Sequence, residues 1–135
     1  HSFKPGDKIL FKRNCVWYEQ LTLNSSGTYN NPIKVDAYGS DAAPVFDGSD
    51  NITSWSVYSA PVYKASISTS LAGLVMEDGV ALTFFAWNSS VFPSLTPGSY
   101  TFDYTSQTVY VRTLDDSSPA THQITMAVRN FAITT

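Results

Sequence analysis

Lys8-Ile9-Leu10-Phe11-Lys12, Gln20-Leu21-Thr22-Leu23, Asn31-Pro32-Ile33-Lys34-Val35 and Pro44-Val45-Phe46-Asp47-Gly48 follow one another through the first third of the chain. The first three carry apolar pairs at i and i+2, Ile9/Phe11, Leu21/Leu23 and Ile33/Val35, and the fourth opens on Val45. That alternation is the signature of a strand with one buried face. The pairs begin at positions 9, 21, 33 and 45, about twelve residues apart, with polar turn residues between them. Such a rhythm predicts a coiling chain with two strands to a turn of roughly two dozen residues, successive turns stacking their inward side chains. Two turns are visible, which is fewer than the roughly three neighbours stacked repeats need to bury their faces.

From Ser49 to Val128 the spacing becomes irregular and rich in aromatics, which predicts an antiparallel β unit inserted after the second turn. Strands are expected near Trp55–Tyr58, Tyr63–Ile67, Leu74–Glu77, Val80–Thr83, Ser99–Asp103, Thr108–Arg112 and Gln123–Val128, with one helical turn around Phe84–Ser89. Asp78-Gly79 between two of these is the sharpest turn signal, a two-residue hairpin with both residues at positive φ. Asn130-Phe131-Ala132-Ile133 returns to the style of the first strands, so residues 129–135 read as the start of a further turn. The expected organisation is one all-β domain: coil turns over 1–48, the insertion over 49–128, and the resumed coil.

The chain has 135 residues, enough to bury a core without disulfides or metals. Hydrophobic residues make up 43% and charged residues 14%, a balance that excludes disorder. A net charge of -3, with scattered Lys and Arg, leaves no cationic surface for a phosphate backbone, so no nucleic-acid partner is expected. Apolar runs are too short to span a bilayer, and no membrane partner is expected either. The single cysteine, Cys15, rules out an internal disulfide and reads as a packed residue. The chain opens at His1 rather than a methionine, which predicts a processed start, and the Ser, Thr, Asn, Tyr and Gly content has the texture of secreted β proteins.

Phe3 to Arg13 with Trp17, then Ser26-Gly27-Thr28, Asn31-Pro32-Ile33, Ala37-Tyr38-Gly39 and Pro44 to Ser49, resembles the N-terminal turns of secreted right-handed parallel β-helix proteins of the pectate-lyase-like kind. Trp55 to Tyr63, Met76-Glu77-Asp78-Gly79 and Tyr100 to Arg112 resemble an insertion found in such proteins before the coil resumes. The resemblance implies a bacterial-style, secreted or cell-surface protein that binds or cuts polysaccharide. Catalytic groups in that family lie on later turns, so no catalytic residue is carried over.

The acids are poor material for catalysis, since Asp47, Asp78 and Asp115-Asp116 fit turn and cap positions. Glu77 and Asp103, at strand ends beside aromatics, are the two acids worth testing. No window holds three acidic ligands, so no metal or other cofactor is expected, and His122 reads as a solvent-exposed strand-entry residue. Aromatic residues are more informative at 14% of the chain. Sugar rings stack their C–H faces on flat side chains, and Trp87, Trp55 and Tyr104 are the tentative carbohydrate-binding residues. The leading expectation is a non-catalytic carbohydrate-associated module, a fragment or N-terminal region of a polysaccharide-binding β-helix protein. The alternatives are part of a lyase or glycoside hydrolase cleft, or a purely structural module, and open strand edges predict a homo-oligomer.

Overall fold

A computed structural model describes residues 2–69, 73–87, 94–130 and 133–134. In chain order the strands are β1 (Lys8–Lys12), β2 (Val16–Trp17), β3 (Leu21–Thr22), β4 (Lys34–Tyr38), β5 (Val45–Phe46), β6 (Ser49–Asn51), β7 (Ser56–Ser59) and β8 (Val62–Ser66). There follow β9 (Val75–Glu77), β10 (Val80–Ala81), β11 (Thr83–Phe84), β12 (Ser99–Asp103), β13 (Thr108–Arg112), β14 (Ile124–Ala127) and β15 (Ile133–Thr134). Among the described residues the chain is essentially all-β, with a 3-10 turn at Pro119–Thr121. No helix among the described residues is long and apolar enough to cross a membrane. Two compact units divide it, one comprising 1–48 with 129–135 and the other 49–128.

Among the described residues the first unit holds three parallel strand pairs. β1 pairs with β4, Lys8 opposite Lys34, an offset of 26 residues. β2 pairs with β5, Val16 opposite Val45, an offset of 29 residues. β3 pairs with β15, Leu21 opposite Ile133, across the whole second unit. The sequence reading expects two strands to a turn, and the described residues place three parallel pairs in this unit. Ile9, Ile33 and Ile133 do not share one sheet either: Ile9 lies opposite Val35, Ile33 precedes β4, and Ile133 joins Leu21. The physical reason is local. A bend at Arg13 to Cys15 carries Asn14 to φ 57 and its amide to the Ala42 carbonyl at 2.9 Å, so β2 starts a new direction that the alternation alone does not reveal. Phe11 anchors the interior edge-on to Trp17 at 5.3 Å and to Phe46 at 4.6 Å.

The second unit holds two sheets, ordered β10-β9-β14-β6 and β11-β12-β13-β8-β7. Strict alternation places Tyr100 and Phe102 of β12 beside Val109 and Val111 of β13, and these meet Val75, Ile124 and Met126 of the other sheet in one cluster. Phe102, Val109, Val111, Ile124 and Met126 have no measurable exposure, so this cluster is the hydrophobic core of the unit. A second cluster of Val62, Leu95 and Tyr110, with Phe85 and Trp87 against it, includes the β13 position between Val109 and Val111. The unit is not wholly antiparallel: β11 runs parallel to β12, with Thr83 opposite Ser99. The expected helical turn at Phe84–Ser89 is replaced by strand up to Phe84, and Asn88 and Ser89 lie outside the described residues.

Candidate functional site

Trp87 and Trp55 both have packing partners. Trp87 is half-buried, stacked on Tyr110 at 5.3 Å with planes 17° apart. Trp55 is half-buried against the main core, and its indole N–H donates to the Ile52 carbonyl at 3.0 Å. Tyr104 stands out from its sheet at 55% exposure, touching Phe102 edge-on at 5.0 Å. The sequence reading passed over Tyr29, which is fully exposed at 100%. Tyr29 caps the reversal Thr28–Asn31, whose ends exchange amide and carbonyl bonds of 3.0 and 3.1 Å. Next to it in sequence, a groove of about 710 Å³ is lined by Leu23, Asn24, Ser25, Ser26, Thr28 and Ile33 among others, a size within the ~300–1,000 Å³ of small-molecule sites. Gly27 lets its walls approach, since a Cβ there would stand 2.6 Å from the Ile33 nitrogen.

A polar cluster in the second unit has a different character. Asp78 and Gly79 form the predicted turn at φ 48 and 83, between β9 and β10. The Asp78 carboxylate accepts from the Gln123 amide at 2.8 Å and meets His122 Nδ1 at 2.7 Å. Glu77, at the end of β9, has a side chain only 2% exposed, and its Oε2 accepts the Leu114 amide at 2.9 Å. Its Oε1 lies 3.4 Å from His122 Nδ1. On the other side of the ring, Nε2 is 2.7 Å from Ser117 Oγ and 3.4 Å from Asp115 Oδ1.

His122 is therefore not the exposed strand-entry residue that the sequence predicts. Its side chain is 17% exposed and three acids surround it. The bond to Asp78 raises its pKa above the usual histidine value, with Glu77 and Asp115 adding to that. Asp78 is held below the usual carboxylate range by the same bond, and Asp115 by the Ser117 amide and hydroxyl. Ser117, His122 and Asp78 lie in the order hydroxyl, imidazole, carboxylate that activates serine nucleophiles. Three acids nevertheless favour the charged ring, which cannot accept the Ser117 proton. The cluster works instead as a polar latch between the β9–β10 hairpin and the loop that follows β13. Asp103, the other acid marked for testing, spends its carboxylate on the Thr105 amide at 2.9 Å and the Ser106 hydroxyl at 2.6 Å, as a turn residue does.

The fold and these two sites define an all-β chain of two units, one built from parallel strand pairs. No family model matches the chain, and no curated protein does. A solved structure described as the complex structure of XylC with xylose is similar in fold, with a TM-score of 0.69 at 14% identity. The match covers 97% of this chain and 28% of that one, so the chain corresponds to little more than a quarter of the length of XylC.

Proposed function

We propose that this chain is a non-catalytic, carbohydrate-associated module of a secreted or cell-surface protein, built on turns of a right-handed parallel β-helix of the pectate-lyase-like kind. Pairing offsets of 26 and 29 residues support the helical reading, because each strand then meets its counterpart one circuit later. The third pair, closed after the second unit, supports a coil that resumes beyond an insertion. Likeness to a protein solved with xylose supports a sugar as the ligand class. The observation that carries the reading is the groove at residues 23–33. Its amide and hydroxyl side chains suit sugar hydroxyls, and fully exposed Tyr29 follows Thr28 of its wall in sequence. Tyr104 offers a second exposed ring in the other unit.

Calorimetric titration with xylohexaose, oligogalacturonate and alginate oligomers tests this directly. Tyr29→Ala is expected to weaken the binding of whichever oligomer is taken by about tenfold, which corresponds to the ~1.4 kcal/mol of a good stacking contact. Failure of the native chain to bind any of the three would remove the proposal. Outer edges of β4 and β5 have no strand partner among the described residues, which supports association between copies. Light scattering at high protein concentration reads that directly, and a strict monomer would count against it.

A further inference from the structure

We infer that Glu77, Asp115 and His122 form a binding site for a divalent transition-metal cation of the zinc class, with Asp78 as the residue that orients the imidazole. One ligand atom from each of the three residues lies within 4.8 Å of the other two, a spacing one ion can bridge after small adjustments. Imidazole with carboxylates is the donor set that suits zinc and its neighbours rather than calcium or magnesium.

Three further observations support a cation there. The first is the burial of Glu77, whose side chain is 2% exposed. Its Oε2 accepts the Leu114 amide, and Oε1 lies 3.4 Å from His122 Nδ1. The Asp78 oxygen at 2.7 Å takes the nearer place on Nδ1, and the buried Glu77 carboxylate faces the ring at the longer ion-pair distance of 3.4 Å. The second is charge. Glu77, Asp78 and Asp115 bring three negative charges to one imidazole, and the nearby guanidinium of Arg112 is committed to Asp116 through bonds of 2.7 and 3.0 Å. A divalent ion is the complement this balance lacks.

The third is orientation. Metal-bound histidines commonly donate their second ring N–H to a carboxylate, which fixes the tautomer and ring plane. Asp78 does this at Nδ1, leaving Nε2 directed at Asp115 and Ser117. Asp78 is itself fixed, since its amide donates to the Gln123 carbonyl at 3.0 Å and its carboxylate accepts the Gln123 amide. The loop carrying Asp115 is tied by the Leu114 amide to Glu77 and by the Ser117 amide to Asp115 itself at 2.9 Å. The donors are thus positioned before any ion arrives.

The test uses the full chain stripped with chelator and titrated with ZnCl2 in a calorimeter, with CoCl2 absorption as a second readout of His and carboxylate ligation. Expected is one ion per chain and a visible Co2+ band of tetrahedral or five-coordinate intensity. His122→Gln should abolish binding. Asp115→Asn, at an exposed position that leaves folding intact, should weaken it at least tenfold. Asp78→Asn should weaken it on the order of 10–100-fold as a positioning residue and shift the Co2+ spectrum without abolishing it. Asp41→Asn, in the other unit, should change nothing. Sub-stoichiometric binding, or binding equally tight in His122→Gln and Asp115→Asn, would overturn the site. Because no sugar enters the experiment, its result is independent of the carbohydrate reading.

Discussion

Replacing Trp87 by alanine separates packing from recognition, because the sequence marks this residue for sugar binding while the structure stacks it on Tyr110. Removing a fully buried large aromatic costs about 3–5 kcal/mol. Trp87 is half-buried, and its contacts are with the small cluster of Val62, Leu95 and Tyr110, not the main core. Halving the core figure gives about 2 kcal/mol, of which ~0.5–1.5 kcal/mol is the ring stack. For a unit of this size each kcal/mol moves the melting temperature by roughly 4–8 °C, so the second unit should melt about 8–16 °C lower. Tyr29→Ala makes the contrast, since a fully exposed ring should change stability by no more than ~0.5 kcal/mol. Circular dichroism melts and calorimetric titration with xylohexaose, run on both variants, measure both quantities. The reasoning is refuted if Trp87→Ala keeps the native melting temperature and loses sugar affinity, for the ring would then be a binding platform and its stack on Tyr110 incidental.

Gly73→Ala should destabilise the second unit by about 1–3 kcal/mol, because an added Cβ would sit 2.4 Å from the Ala127 carbonyl oxygen and 2.7 Å from its Cβ, and urea unfolding followed by tryptophan fluorescence reads that loss. Gly27→Ala should lower sugar affinity without lowering the melting temperature of the second unit, since the added Cβ would meet Pro32 and Ile33 of the groove wall. Tyr100 and Tyr110 have pKa values raised first by burial, so their absorbance near 295 nm should titrate above the ordinary phenol range. A phenol whose folded pKa lies above its unfolded value contributes stability that is complete below the unfolded value near 10. That contribution is lost as pH rises through the folded value, so alkaline unfolding should begin above pH ~10 and set in later for Tyr100→Phe.

Much of the second unit can be read locally. Ser99–Asp103 and Thr108–Arg112 appear with the bounds their alternation predicts, because each has one side chain in two directed into the core and a polar reversal between them. The Asp78-Gly79 turn needs only its own two residues at positive φ to be recognised. Ser49–Asn51 is a strand with no apolar signal at all; it exists because β14 supplies the hydrogen-bonding edge, with Ala127 opposite Ser49. The same limit hides the polar cluster. His122 is predicted as exposed from its neighbours, whereas its partner Asp78 lies 44 residues away and Glu77 reaches Leu114 across 37. A signal was present in hindsight only as an acid pair beside a turn, Glu77-Asp78, and a second acid pair, Asp115-Asp116, shortly before the histidine.

That difference in sequence separation gives the two sites distinguishable thermodynamics. The groove is made by a nearly continuous run from Leu23 to Ile33, so a ligand there orders a local segment and stabilises the first unit alone. The acid and histidine cluster joins β9, the loop after β13 and the entry to β14, all of which separate when the second unit unfolds. An ion held at that point binds the folded unit and not the open chain, so its melting temperature should climb with the logarithm of free zinc once the site saturates. Sugar should leave that transition where it is, and zinc should leave the first unit's transition where it is. A single ligand that moved both would mean that the groove and the cluster do not act as separate sites.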